Sequence, residues 1–122
     1  TIPKFKFKII AGAANNQLMD EAKHGKMLIE KNIVYAPDYV INSGGLINVY
    51  NELEGYNQEK ALAQAKGIYD IVKSILELAE REQIPTYAAS NKIAEDRIYH
   101  IGRIKQSYVS KSESVMRRLE SF

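Results

Sequence analysis

A chain of 122 residues, 45% hydrophobic and with a formal net charge of +2, is sized for one domain or part of one. The near balance of charge gives no electrostatic argument for nucleic acid, and the absence of cysteine removes disulfides, thiolate metal sites and cysteine nucleophiles. The apolar runs are too short for a membrane span, and Thr1-Ile2-Pro3-Lys4 lacks the apolar core and cleavage site of a signal peptide. The expectation is a soluble, cytoplasmic protein, and the missing initiator methionine points to a start inside a longer one.

Residues 4–10 alternate, with Lys4, Lys6 and Lys8 on one face and Phe5, Phe7 and Ile9 on the other, which predicts a strand with one wet face. The lysines mark an edge strand, or a face covered by their aliphatic stems. Residues 20–31 predict a helix with Ala22, Met27 and Leu28 inward. Residues 33–36 and 39–41 predict two short strands broken at Pro37. A helix is expected over residues 46–53, stopped by Gly55. Asn57 is a good N-cap for a long helix carrying Leu62, Ala65, Ile68, Tyr69, Val72, Ile75, Leu76 and Ala79 at helical spacing. Pro85 ends it. Thr86 is placed to cap the next helix, which carries Ala89, Ile93, Ala94, Ile98, Ile101 and Ile104. Residues 105–122 form a polar tail in which Val115, Met116 and Leu119 fit a short amphipathic helix. Strand, helix, strand and then three helices is the pattern of the closing part of an α/β domain with an incomplete sheet.

The chemistry concentrates at two joints. Ile9-Ile10-Ala11-Gly12-Ala13-Ala14-Asn15-Asn16-Gln17-Leu18 and Tyr35-Ala36-Pro37-Asp38-Tyr39-Val40-Ile41-Asn42-Ser43-Gly44-Gly45 each run from a strand-like apolar stretch into small residues and asparagines. Open α/β sheets bind ligands beyond the carboxyl ends of their strands, so two such joints describe one half of a ligand cleft. A side-chain amide offers a donor and an acceptor without charge, which suits a carboxamide, a carbonyl or an ammonium group. The competing account of Asn15-Asn16 is a turn. Asn42-Ser43-Gly44-Gly45 reads either as a close backbone approach with free helix-start amides or as a plain turn capped by Ser43.

No complete active site is visible. There is no Gly-x-Gly-x-x-Gly, no pair of carboxylates stands out as acid and base, and no catalytic residue is assigned. His24 and His100 lack a second ligand at recognisable spacing, so no metal is expected. The tyrosines read as core and rim, and Arg117 and Arg118 as a solvated end.

The ordered series Ile10 through Leu18, His24-Gly25, residues 33–42 with Gly44-Gly45, Ile47-Asn48-Val49, Glu52-Leu53, Gly55-Tyr56-Asn57, Gly67-Ile68-Tyr69-Asp70 and Pro85-Thr86-Tyr87 through Ala94-Glu95-Asp96-Arg97-Ile98 carries a resemblance. Over about residues 1–104, the chain resembles the C-terminal part of the leucine-acting branch of the glutamate/leucine/phenylalanine/valine dehydrogenase family. The resemblance implies an α/β fold, a partial Rossmann-type (doubly wound) domain with few parallel strands followed by long C-terminal helices. Residues 1–56 would close an NAD-binding domain, residues 57–104 would be its C-terminal helices, and residues 105–122 a polar tail.

It further implies NAD as cofactor and reversible oxidative deamination of leucine-like amino acids to 2-keto acids and ammonia. The family's catalytic lysine and aspartate, glycine-rich loop and ribose-binding acid all lie upstream of the matched part, so the chain alone is expected to be an inactive fragment. Asn16 corresponds to the asparagine beside the nicotinamide and the substrate's polar end, with Ala14 and Asn15 in the same loop. Asn42 corresponds to the asparagine at the nicotinamide side of the cleft, and Leu46 and Val49 to positions lining the substrate side-chain pocket. Ser43 stands where alanine is usual, and Leu46 where valine is usual; the larger side chain shrinks or reshapes the pocket. Expected partners are the N-terminal part of the same enzyme, a small amino acid substrate, and further copies in a homo-oligomer joined through an open strand edge or the long apolar-striped helices. Neither nucleic acid nor membrane is expected. The rival readings are a stand-alone interaction module that kept the architecture without the chemistry, and, on tyrosines alone, a helical RNA-binding domain.

Overall fold

The computed structural model describes the backbone of residues 1–119 and the side chains of residues 1–104. A single 3₁₀ turn, Ile2–Lys4, buries Ile2 and leads into strand β1, Ile9–Ile10. β1 pairs in parallel with β2, Val34–Tyr35, in the register Ile9 to Val34 and Ile10 to Tyr35. The strand predicted over residues 4–10 therefore contracts to two paired residues. Pro3 starts a turn that takes up Lys4, and β2 offers only two residues to pair with. The three lysines are exposed as expected, but so are Phe7 and Ile9, at 48% and 65%. No further layer covers that face among the described residues.

Helix α1, Glu21–Glu30, starts where Asp20 accepts the Lys23 N–H at 2.8 Å. Gly25 and Leu28 are buried and Met27 is half-buried, whereas Ala22, one turn nearer the helix start, is exposed. Its end is a Schellman stop. Asn32 takes φ 53°, its N–H reaches Ile29 O, and the Ile33 N–H reaches Leu28 O, both at 2.9 Å. That turn delivers Ile33 into the core and β2 beside β1. Ile2, Leu28, Ile33 and Tyr35 form the core, with Phe5, Ile10, Leu18 and Met27 packed against it.

The third predicted strand is a helix. Residues Asp38–Ile41 form the single turn α2. The β-branched Val40 and Ile41 favour extended chain, but Pro37 sets φ at −55° and its carbonyl accepts from the N–H groups of Val40 and Ile41 at 3.0 and 3.1 Å. Helix α3, Gly44–Leu53, follows directly, and Gly55 after it takes φ 87°. Asn57 caps α4, Gln58–Glu82, by accepting the Lys60 N–H at 2.9 Å. Ala61, Ile75, Leu78 and Ala79 are its buried residues, and it packs on α2 and α3. Leu62 and Tyr69, predicted on that stripe, are instead exposed at 55% and 71%. The buried Asn51 donates to Gln64 at 2.6 Å and to Ile47 O at 2.8 Å, tying α3 to α4.

A second Schellman stop closes α4, with Gln83 at φ 54° and the Ile84 N–H on Ala79 O at 3.0 Å. Helix α5, Thr86–Leu119, begins with Thr86 already inside it, and the Pro85 carbonyl accepts from Ala88 and Ala89. Thr86 is thus the first helical residue rather than the cap, because proline supplies the entry. Ala89 is fully buried; Ile98, Ile101 and Ile104 are exposed. The α5 backbone continues into the predicted polar tail as far as Leu119, and the side chains at Val115, Met116 and Leu119 lie outside the described ones. The chain packs as two units, residues 1–90 and 91 onwards. The architecture is mostly helical α/β with a two-stranded parallel sheet.

Candidate functional site at the carboxyl ends of the strands

Because β1 and β2 run parallel, their carboxyl ends share one edge of the sheet. The loop leaving β1 and the segment leaving β2 meet there. The Asn16 N–H donates to Asp38 Oδ2 at 2.6 Å. Asn42 Nδ2 donates to Ala13 O at 2.9 Å and to Asn15 Oδ1 at 3.4 Å. Gln17 Nε2 folds the first loop on itself, donating to Gly12 O at 2.9 Å and Ala14 O at 2.8 Å. A Cβ at position 12 would stand 2.8 Å from Gln17 Nε2, so a side chain there would displace the glutamine amide from this fold. Asn16 itself sits in the left-handed region at φ 54°, which asparagine tolerates better than most residues.

Asp38 organises the joint. It is only 6% exposed, and its second carboxylate oxygen accepts the Tyr35 hydroxyl at 2.8 Å. The pairing joins a strand residue, a helix start and the opposite loop through one buried carboxylate. Neither Asp38 nor Tyr35 is among the residues expected from sequence. The available signal was an acid directly after Pro37, at the first position of a helical turn, with a tyrosine three residues before it.

Of the predicted residues, Ala14, Asn15, Asn16 and Asn42 come together in this joint. The Asn16 side chain is exposed and makes no hydrogen bond among the described residues. Asn42 spends its amide nitrogen as a staple and keeps its carbonyl oxygen available. Of the two readings of Asn42-Ser43-Gly44-Gly45, the one with a Ser43 side-chain cap does not form. The hydroxyl donates to Val40 O at 2.7 Å instead, because Ser43 already has helical φ and ψ as α2 passes into α3. Leu46 and Val49 lie three residues apart on α3 and are exposed at 74% and 52%. Beside the joint lies a pocket of ≈ 470 Å³ lined by Asn15, Asn16, Leu18, Glu21, Asp38 and Tyr39.

Burial, reinforced by the hydrogen bond to Asp38, pushes the Tyr35 phenol up to about 12. Burial likewise raises Tyr39, with the Glu21 and Asp38 carboxylates adding to the rise and a hydrogen bond with Ser90 opposing it. Both phenols are neutral hydrogen-bonding groups at neutral pH. Folded Tyr35 binds its proton more tightly than the unfolded phenol, so its contribution to stability is complete below about pH 10 and is lost as pH rises toward about 12. Urea unfolding measured through that window should show a steep fall in stability, and Tyr35→Phe should make the fall shallower. An unchanged slope would place the phenol in water.

Among the described residues no group of His, Asp and Glu is placed to hold a metal ion, and no helix is long and apolar enough to cross a membrane. Comparison with known proteins decides the family. The model of the glutamate/leucine/phenylalanine/valine dehydrogenases matches residues 2–107. The chain belongs to that family. It is 48% identical over 116 residues to a leucine dehydrogenase of Thermoactinomyces intermedius, covering 95% of this chain and 31% of that protein. It is 51% identical over 110 residues to an L-tryptophan dehydrogenase of Nostoc punctiforme, covering 90% of this chain and 31% of that one. A crystal structure of the Nostoc punctiforme L-tryptophan dehydrogenase superposes with a TM-score of 0.81 at 53% identity, over 84% of this chain and 31% of that chain. The chain thus spans about a third of the length of these dehydrogenases.

Proposed function

We propose that this chain forms one wall of the active-site cleft of an NAD-dependent amino acid dehydrogenase acting on branched-chain substrates, as the closing part of a doubly wound nucleotide-binding domain. The observation carrying this reading is the stapled asparagine joint at the carboxyl ends of two parallel strands, where such sheets bind ligands. Membership of a dehydrogenase family supplies the reaction class.

The donor set fits the nicotinamide end of the cofactor. Asn16 offers an unengaged amide, and Asn42 an unengaged carbonyl oxygen, to a carboxamide or to the polar end of an amino acid. The remainder of the dinucleotide has no glycine-rich cradle in this chain. The cofactor, when bound, accepts the hydride. The chain's own residues position the carboxamide and close one side of the cleft. The two asparagine side chains supply no proton-transfer group, because a neutral amide has no suitable pKa. Turnover then depends on a lysine and an aspartate outside this chain, and the 122 residues alone give none. Water must be kept from the exposed Leu46, Val49 and Leu53 by the rest of the enzyme or by further copies in an oligomer.

Leu46 and Val49 line the pocket for the substrate side chain in this reading. Leu46→Val in the dehydrogenase that contains this chain should shift preference toward bulkier amino acids, by about 1–3 kcal/mol per methylene-sized change. Competition between leucine, valine and phenylalanine reads the shift, and an unchanged ratio removes Leu46 from the pocket. The similarity to an L-tryptophan dehydrogenase favours a second reading, an aromatic substrate, which the same competition decides.

A further inference from the structure

We infer that Asp38 is a positioning residue that acts through Asn16, a role resting on the proposed reading of Asn16. A left-handed backbone is costly for a residue with a side chain, though asparagine tolerates it better than most. Something must therefore hold Asn16 at φ 54°. Among the described residues its backbone N–H donates to Asp38 Oδ2 alone, at 2.6 Å and twenty-two residues away in sequence. A carboxylate is the strongest acceptor available for that N–H.

Asp38 is itself held from two directions. Its other oxygen accepts from Tyr35, which is 4% exposed in the core, and its backbone opens α2 directly after Pro37. The clamp thus runs from the core through Tyr35 and Asp38 to the Asn16 backbone. It leaves the Asn16 side-chain amide without a hydrogen bond among the described residues, on an exposed residue. A buried carboxylate whose partners are one core phenol and one loop amide carries positional information. Gln17 and Asn42 close the loop elsewhere, on the carbonyls of Gly12, Ala13 and Ala14 and on the Asn15 side chain, and leave Asn16 to Asp38.

The test is a double-mutant cycle in the dehydrogenase that contains this chain, read as kcat/KM for amino acid oxidation. Asp38→Ala should lower kcat/KM about ten- to hundredfold. Asp38→Asn, which keeps a neutral acceptor, should lose less. Glycine adopts a left-handed backbone without help and has no side chain to aim. In an Asn16→Gly background both Asp38 variants should therefore change kcat/KM by less than about threefold. An equal loss in both backgrounds would show that Asp38 acts independently of Asn16, and the inference falls. If Asn16→Gly alone leaves kcat/KM intact, the role of Asn16 fails first and takes this one with it. Should Asp38→Ala not fold, Asp38→Asn runs the same cycle. Amide exchange of Asn16 adds a readout free of catalysis: it should speed up in Asp38→Asn more than at Gln17, and equal protection at Asn16 would overturn the clamp.

Discussion

In the dehydrogenase proposed to contain this chain, Asn16→Gly is expected to lower kcat/KM by about one to two decades while leaving the fold intact. The magnitude follows from an amide partner lost at a polar group of cofactor or substrate, about 1–3 kcal/mol. Glycine is the right replacement because of the backbone. An apolar side chain of similar size, such as leucine, would be forced into the left-handed region at φ 54° and would add strain to the lost hydrogen bond. Glycine removes the amide and keeps the conformation. Steady-state kinetics together with an unchanged thermal midpoint separate chemistry from folding. Wild-type kcat/KM in a folded variant would remove Asn16 from the site.

Gly25→Ala is expected to destabilise the protein by about 2 kcal/mol, although alanine is the better helix former by about 1 kcal/mol. Gly25 is buried in α1, and a Cβ there would stand 2.9 Å from Pro85 Cβ and 3.1 Å from two ring carbons of Tyr87. The proline ring is rigid and the tyrosine is half-buried, so neither yields cheaply. Overpacking of this kind costs about 1–3 kcal/mol on its own and grows when backbone must shift. Urea unfolding measures the balance. A variant as stable as the parent would mean that α1 does not lie against the turn between α4 and α5.

Local chemistry made the helices legible. Asn57 is a cap in sequence and in space, while Asp20, read as the first residue of its helix, is the N-cap of α1. The end of α4 before Pro85 and the glycine after α3 followed from backbone restrictions that no tertiary context overrides. The strands were harder. Val40 and Ile41 carry β propensity, yet Pro37 and the Asp38 hydrogen bonds turn them into α2. Strand propensity mostly reports how well a side chain fits a half-buried pleated surface, and no sheet lies beside them. For the same reason Phe7 and Ile9 looked buried and are not. Alternation names a face, and something must cover that face before it becomes core.

The candidate site was legible in its outline and not in its wiring. Small residues and asparagines after two apolar runs located the joint. The pairing of Asn42 with Ala13 and Asn15 spans more than twenty-five residues, and sequence order does not reveal such contacts. Asp38 was hidden because an isolated acid among strand-like residues resembles a solvated turn. Its burial, and its two hydrogen-bonded oxygens, appear only when α2 folds against the loop after β1.

The most direct test of the proposed cleft is amino-acid-dependent reduction of NAD, followed by NADH absorbance, with the purified larger protein proposed to contain this chain and the isolated 122 residues assayed side by side. The account predicts leucine-dependent NADH formation by the former, exceeding that with phenylalanine or tryptophan, and none above background by the latter. No amino-acid-dependent reduction by the larger protein, or turnover by the 122 residues alone, would contradict it.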